Sequence, residues 1–225
     1  MKSAWFWQSK QWAEYQAIYH HGQIPSEYKS SPLDPNGEDF NWDVERKHYS
    51  MRINQTRVLD LTPPMETLWK GVRDSYRALI NKGIRGYDVE ISDDIEGYRA
   101  LHAEANHGQP RPTRTYEMQG DWVKTRNGLL VMADKIQTRK YVAGTYWIIY
   151  KNAAYRASSP SLEKSVQHAV IWKSLELLKA MGVTMAELGK VDGETAKERN
   201  IGVFSRGFGG IDVPFTTVTK REVMP

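Results

Sequence analysis

Apolar and polar positions alternate in blocks through the middle of the chain. Residues 128–159, GLLVMADKIQTRKYVAGTYWIIYKNAAYRASS, hold three apolar runs separated by polar breaks at 137–140 and 151–152. Short apolar runs divided by turn residues are typical of antiparallel strands that follow one another along the chain. The pattern therefore predicts a three-stranded meander, in which 142–150 is apolar enough to be a central strand.

Two other segments place apolar residues at every third or fourth position, which is the spacing of a helix. One is SLEKSVQHAVIWKSLELLKAMG, which we expect to end at Gly182, and the other is METLWKGVRDSYRALINKG, which predicts one helix ended by Gly83 and Gly86. The same criteria predict further strands at 56–61, 87–92, 183–188 and 213–223. They also predict a helix at 94–106, capped by Ser92 or Asp93, and a helix or turn at 193–207.

The order of these elements predicts the fold class. A meander, then a long helix, then another strand is the order of an α+β protein and not of a doubly wound sheet. We therefore expect a mixed, largely antiparallel sheet flanked by helices over residues 57–225. Residues 1–56 are polar and rich in turn residues, with Pro32, Pro35 and Gly37 close together. They predict a partly irregular N-terminal arm with one short helix near residues 8–19.

Composition narrows the function classes. The chain has no cysteine, which excludes disulfides, thiolate metal sites and a cysteine nucleophile. The histidine pairs His20–His21 and His102–His107 lack the spacing that puts two imidazoles on one helical face, so no metal site is predicted. The formal charge of +4 favours anionic partners, including nucleic acid, without requiring them. No apolar run suits a signal peptide or a membrane span, so a cytoplasmic protein is expected.

The segment ERNIGVFSRGFGG, residues 198–210, combines glycines, aromatics and an arginine near the end of the chain. Its three glycines are expected to end the helix, at places where a positive φ or close packing excludes a Cβ. Phe204 and Phe208 are four residues apart and are expected to pack in the core. Packing explains Arg206 least, so Arg206 is the functional candidate of this segment.

Four segments taken in order resemble the acyl-transferring domain of the FemABX family, a branch of the GNAT acyltransferase superfamily. They are VAGTYWIIYKNAAYRASSPS, AVIWKSLELLKAMGV, AELG and NIGVFSRGFGG, and the upstream LDLTPPMETLWKGVRDSYRALINKG resembles the stretch where that domain begins. The resemblance covers roughly residues 57–220 and implies a GNAT-type fold. It also implies transfer of an amino acid from aminoacyl-tRNA to a peptidoglycan precursor or a small metabolite.

The resemblance also indicates site residues, with one departure. In the family, lysine follows the motif phenylalanine and is implicated in stabilising charge on the acyl carbonyl, whereas Ser205 follows Phe204 here. Phe204, Ser205 and Arg206 are therefore the predicted catalytic residues, with Arg206 supplying a permanent positive charge. Arg77 occupies the family's usual basic position, and Tyr155 is expected to line the cleft. Full family members carry two such domains, so an acceptor site formed between two domains would have to be built here from the N-terminal arm or from a second subunit, as in a homodimer.

The composition of the turn before the long helix indicates which acyl donor is used. Acyl-CoA enzymes of this superfamily cradle pyrophosphate with a glycine-rich turn, but the corresponding ASSPSLEKSVQ has no glycine. This favours aminoacyl-tRNA over acyl-CoA. Ser158 and Ser159 could still bind phosphate, together with Ser161, or could cap the helix. Lys197 and Arg199 could extend a basic rim for nucleic acid or form a solvated helix face.

The sequence therefore predicts an acyltransferase that moves an aminoacyl group from tRNA onto an amine of a peptide, a cell-wall precursor or a small metabolite. Asp192 and Glu194 are candidate proton acceptors, the alternative being ordinary surface carboxylates. Two other functions stay open. One is an acyl-CoA-dependent N-acetyltransferase acting on a small amine, sugar nucleotide or modified base. The other is a binding module that keeps the fold without the chemistry.

Overall fold

The computed structural model describes residues 27–30, 49–108, 111–163 and 165–220, so the helix predicted near residues 8–19 lies outside the described residues. The strands are β1 (Glu27–Ser30), β2 (Tyr49–Asp60), β3 (Tyr87–Ile91), β4 (Gly128–Lys135), β5 (Tyr141–Tyr150), β6 (Ala153–Ser158), β7 (Met185–Lys190) and β8 (Ile211–Lys220). The helices are α1 (Met65–Gly71), α2 (Asp74–Gly86), α3 (Ile95–Ala105), α4 (Thr113–Lys124), α5 (Val166–Ala180) and α6 (Ala196–Arg206).

All described strands belong to one eight-stranded sheet with the order β1-β8-β2-β7-β6-β5-β4-β3. Its neighbours are antiparallel except for β6 and β7, which are parallel. The crossover between β6 and β7 contains α5, as parallel strands require a long connection. The predicted fold class, a mixed and largely antiparallel sheet flanked by helices, is confirmed, as is the meander of β4, β5 and β6.

The sheet separates two apolar cores. On one face α2 and α5 cover a core that includes Ile80, Trp147 and Leu175. On the other face α3 and α4 cover a core built around Tyr98 and Tyr146. Trp147 and Tyr146 are neighbours on β5 that point to opposite faces, and both are fully buried. This explains why β5 appears in the sequence as a continuous apolar run.

The single helix predicted over 65–83 is wrong, because the chain breaks at Val72 and Arg73 to form α1 and α2. Both residues have extended backbones, with ψ angles of 135° and 137°. Val72 is buried, and the Arg73 N–H donates a hydrogen bond to the Gly207 carbonyl at 2.9 Å. Contact with the end of α6 therefore decides where α1 stops.

Three other elements differ from the prediction. The N-cap of α3 is Asp94, whose carboxylate accepts a hydrogen bond from Gly97 N–H at 2.8 Å, and not Ser92 or Asp93. Helix α4 was not predicted, because its buried positions include the polar Thr115 and Gln119. Strand β2 begins at Tyr49, so the domain boundary predicted at residue 57 falls inside a strand.

The glycine-rich end of α6 satisfies both geometric reasons expected for it. Gly209 and Gly210 have φ angles of 86° and 84°, which favour glycine. A Cβ on Gly210 would also lie 2.3 Å from the carbonyl oxygen of Val58. These two residues turn the chain from α6 into β8, where Ile211 pairs with Val58.

Candidate functional site

A cleft opens where the two parallel strands separate. β6 and β7 pair only from Ala153 to Tyr155 and from Met185 to Glu187. Beyond that point β6 continues alongside β5, and β7 continues alongside β2, where Lys190 pairs with Thr56. The second halves of β6 and β7 are therefore not bonded to each other. The gap lies in the middle of the sheet, with the ends of both strands on its walls.

The gap forms a cleft of about 620 Å³ with mostly apolar and aromatic walls. Residues from β6, β7, α2, α5 and α6 contribute, which places a sheet opening and three helices around one cavity. The lining includes Tyr76, Tyr155, Arg156, Gln167, His168, Leu188, Ile201 and Phe204. A cavity of this size with a few polar groups among apolar walls is typical of a small-molecule or cofactor site.

A β-bulge shapes the β6 wall. Tyr146 pairs with Ser158, but the next residue on β5, Trp147, pairs with Arg156, so Ala157 is an extra residue on β6. A bulge leaves the extra residue outside the regular ladder and bends the strand. Bulges are over-represented next to active sites, where they redirect backbone and side chains. Ala157 itself lines the cleft.

Arg156 places a positive charge on the cleft wall, and sequence analysis did not identify it. One terminal nitrogen, Nη2, donates to the Leu188 carbonyl at 2.7 Å and to Ser205 Oγ at 2.9 Å. The guanidinium carbon lies 5.7 Å from the centre of the Phe204 ring. Loss of solvent lowers the pKa of Arg156 to about 10, so the group remains charged at neutral pH. Among the described residues, no carboxylate pairs with it.

The opposite wall is aromatic. The His168 ring packs with its centre 4.4 Å from that of Tyr76 and 5.0 Å from that of Phe204. His168 Nδ1 lies 3.3 Å from the Ser165 carbonyl oxygen, at the start of α5. The next residue toward that start, Gln167, is buried, and its Oε1 accepts no hydrogen bond within the described part of the chain. The first turn of α5 therefore brings one imidazole and one amide to the cleft.

Four predicted site residues line this cleft: Tyr155, Ser158, Ser159 and Phe204. The hydroxyls of both serines are engaged by other side chains. Ser158 Oγ contacts the Tyr98 hydroxyl, and Ser159 Oγ lies 2.7 Å from Thr145 Oγ1. The idea that Ser158, Ser159 or Ser161 caps the long helix is wrong, because α5 begins at Val166 with Ser165 as its N-cap.

Ser205 is buried behind the cleft wall. Its Oγ accepts the Arg156 hydrogen bond described above and donates to the Leu188 carbonyl at 3.3 Å. The hydroxyl therefore joins α6, β6 and β7 at the point where the two strands separate. The guanidinium of Arg156 lies directly against the Ser205 hydroxyl.

Arg206 lies outside the cleft lining. Its Nε donates to Asp212 Oδ2 at 2.8 Å, and Arg57 Nη1 donates to Asp212 Oδ1 at 2.8 Å. Burial alone would raise the pKa of Asp212, but these hydrogen bonds lower it below its ordinary value. Arg57 also donates to the Gly209 carbonyl. This geometry gives Arg206 a part in holding the turn into β8, and the catalytic role predicted for it stays a prediction.

The remaining predicted residues are outside the cleft. Arg77 donates to the Val72 carbonyl at 2.8 Å and pairs with Asp74, so it caps the end of α1. Lys197 and Arg199 are exposed on α6, where Arg199 donates to the Glu194 carbonyl. Asp192 lies between β7 and α6, and its Oδ1 is buried without a hydrogen-bond partner among the described residues.

Glu198 marks the cleft rim on α6. It forms a capping box with Thr195, whose backbone N–H donates to Glu198 Oε2 at 2.9 Å. Hydrogen bonds from the Thr195 backbone and hydroxyl hold the pKa of Glu198 below its ordinary value. Its carboxylate is thus committed to starting the helix that carries Ile201 and Phe204 into the cleft.

The described residues contain no group of three or more histidine, aspartate or glutamate side chains arranged to hold a metal ion. Within the same residues, no helix is both long enough and apolar enough to cross a membrane.

No protein-family model and no curated protein matches the sequence. Three similar solved structures are FemX, L-PGS from Bacillus licheniformis and a tandem GNAT protein from the clavulanic acid biosynthesis pathway. Their TM-scores are 0.62, 0.55 and 0.50 at 10%, 12% and 12% identity. The matches cover 77%, 79% and 86% of this chain.

The matched region is a part of each larger protein. It spans 67% of FemX, 64% of L-PGS and 63% of the tandem GNAT protein. At this identity the comparison concerns the fold, which is the GNAT-type fold of FemABX-like proteins, as the sequence resemblance implied.

Proposed function

We propose that this protein is an acyltransferase that moves an aminoacyl group from tRNA onto an amine, with the β6–β7 cleft as its active site. One observation carries the proposal: the only parallel strand pair among the described strands separates around a cavity that holds an arginine and an imidazole. Side chains from β6, β7 and three helices surround this cavity, so an acyl donor and an amine can meet there. Holding two reactants in such an alignment supplies a large part of the barrier reduction.

The chemistry needs few protein groups. The amine nitrogen attacks the ester carbonyl, a C–N bond forms, and the bond from carbon to the ribose oxygen breaks. The amine loses one proton and the leaving ribose oxygen gains one, so the protons balance without a permanent acceptor on the protein. The protein must align the two substrates and stabilise negative charge on the carbonyl oxygen.

Two lining residues suit the amine. Gln167 Oε1 is a buried acceptor at the cleft, and an attacking amine carries N–H donors. The His168 imidazole is the titratable group that the first turn of α5 contributes to the same cavity. We assign Gln167 to binding of the amine and His168 to assistance of its proton transfer. Tyr155 and Phe204 form the walls that hold the aminoacyl side chain.

Three observations favour aminoacyl-tRNA over acyl-CoA as donor. The turn before α5 contains no glycine, and the hydroxyls of Ser158 and Ser159 are already engaged by Tyr98 and Thr145. A pyrophosphate cradle would need free backbone or hydroxyl donors there. In addition, Lys190 lines the cleft, and Lys197 and Arg199 are exposed on the adjoining α6, where a nucleic-acid backbone would meet positive charge.

Donor binding at two salt concentrations tests this proposal. Purified protein is titrated with mixed aminoacyl-tRNA, uncharged tRNA and acetyl-CoA. We expect charged tRNA to bind more tightly than uncharged tRNA, and its affinity to fall about tenfold or more between about 50 mM and 200 mM salt, since phosphate contacts release counterions. If acetyl-CoA instead binds tightly and independently of salt, and tRNA does not bind, the donor is acyl-CoA and not aminoacyl-tRNA.

The acyl-CoA-dependent N-acetyltransferase is the second candidate, and a binding module without chemistry is the third. Turnover of any charged donor by the wild-type protein excludes the binding module. The acceptor amine belongs to a peptide, a cell-wall precursor or a small metabolite.

A further inference from the structure

Arg156 and Lys190 both line the cleft, and the setting of Arg156 differs from that of the ion-paired arginines. Arg57 and Arg206 share Asp212, Arg77 pairs with Asp74, and Arg139 pairs with Asp88 and Asp134. Arg156 instead donates to two neutral oxygens through a single nitrogen. Its other nitrogens, Nε and Nη1, donate no hydrogen bond within the described part of the chain, and they belong to a residue that lines the cavity.

Arg156 is partly buried, and a cation that loses part of its hydration without gaining a carboxylate partner is costly to the folded state. The lowered pKa of Arg156 has the same physical origin, because loss of water disfavours the charged form. Structural arginines avoid this cost by pairing, as Arg57 does. An arginine left unpaired in a cavity can bind a ligand oxygen that carries negative charge. The ligand then neutralises the charge of the guanidinium.

We propose that Arg156, oriented by Ser205, binds the carbonyl oxygen of the acyl donor and stabilises the negative charge that develops on it during transfer. The inference rests on the proposed function and assigns this role to a strand residue. Ser205 follows Phe204 on α6 and holds the guanidinium of Arg156 against that helix. The charge therefore reaches the cleft from β6.

Ser205 is a positioning residue in this assignment. Its hydroxyl accepts from Arg156 Nη2 and donates to the Leu188 carbonyl, so it fixes the angle at which the guanidinium crosses from β6 to β7. With Nη2 used in this way, Nε and Nη1 are left for the substrate. The planar guanidinium presents its donors in a fixed geometry, which suits a single oxygen whose position must be controlled. Loss of the hydroxyl leaves the charge present but less well oriented.

Single-turnover transfer from aminoacyl-tRNA to a small amine, with glycinamide as the acceptor probe, tests the assignment. We expect Arg156→Gln to lower the transfer rate by about 100- to 1000-fold, the effect of removing one donor to the developing oxyanion. Donor affinity should change about threefold or less, because the interaction strengthens only as charge develops. Ser205→Ala should lower the rate about tenfold. Arg114→Gln, an exposed site outside the cleft, should match the wild type.

A transfer rate for Arg156→Gln within about threefold of wild type contradicts the assignment. So does loss of transfer confined to Arg206→Ala, which would give the role to Arg206.

A second measurement does not depend on turnover. Arg156→Met removes the unpaired charge, and Ser205 can keep its bond to the Leu188 carbonyl. We therefore expect a thermal unfolding midpoint equal to or above that of the wild type, as for residues kept for function at a cost in stability. A clear fall would make Arg156 a structural residue and overturn the inference. Absence of wild-type transfer with every charged donor would instead contradict the proposed function, and this unfolding test would still apply.

Discussion

Gly207→Val is expected to lower the free energy of unfolding by about 3 kcal/mol or more, an effect at the upper end of what overpacking causes. Gly207 ends α6 with an ordinary φ of −64°, so backbone freedom does not require glycine there. Space does: a Cβ would lie 2.0 Å from Cε2 of Tyr76. The Tyr76 ring is buried against His168 and Phe208 and cannot move without disturbing the aromatic wall of the cleft.

Chemical denaturation of purified variants measures this change, and the chain offers a close control. Gly86 also ends a helix with an ordinary φ, but a Cβ there would meet nothing within 4 Å. Gly86→Ala should therefore leave stability unchanged or slightly raised. Combining Gly207→Ala with Tyr76→Leu should cost less than the sum of the two single changes, because both act on one contact. Strict additivity of the two changes would mean that the clash does not exist.

Ile201→Trp is expected to lower transfer by about 100-fold while the protein remains folded, because a misplaced substrate loses most of the benefit of alignment. Ile201 lines the cleft from α6 and is 42% exposed, so a larger side chain can be accommodated by occupying the cavity without overpacking the core. Transfer from aminoacyl-tRNA is the readout, together with donor affinity, which should weaken because the indole fills the donor's space.

Val203→Trp is the matched control. Val203 lies two residues further along α6 and is 49% exposed, but it does not line the cleft. It should keep wild-type transfer and affinity. Equal activity of the Ile201→Trp and Val203→Trp variants would place the reaction away from the β6–β7 cleft.

The parts of the fold that sequence predicts well are those in which one segment determines its own structure. The meander of β4, β5 and β6 follows from alternating apolar runs and turn residues, and α5 follows from its helical apolar spacing. The break between α1 and α2 was hidden, because it depends on a hydrogen bond from Arg73 to Gly207, far along the chain. Helix α4 was hidden because it buries polar residues such as Thr115 and Gln119.

The candidate site was predicted only where its residues lie on elements whose own sequence determines their structure. The motif around Phe204 and the strand end at Tyr155 lead to the cleft, since both lie on well-predicted elements. Arg156 was missed although it is next to Tyr155. Arg156 lies two residues after Ala154, which faces the core, so the alternation of a strand places its charge on the same inward face. A charged residue at an inward-facing position of a strand needs a reason, and only the divergence of β6 from β7 supplies one.

Binding of the aminoacyl group between β6 and β7 is tested most directly by a crystal structure with a stable donor mimic. The mimic is an adenosine that carries an amino acid on its 3′ position through an amide in place of the ester. We expect the amino acid to lie in the cleft beside Phe204 and Tyr155, with its carbonyl oxygen within hydrogen-bond distance of Arg156 Nε or Nη1. A mimic bound elsewhere, or an empty cleft at a saturating concentration of the mimic, would contradict it.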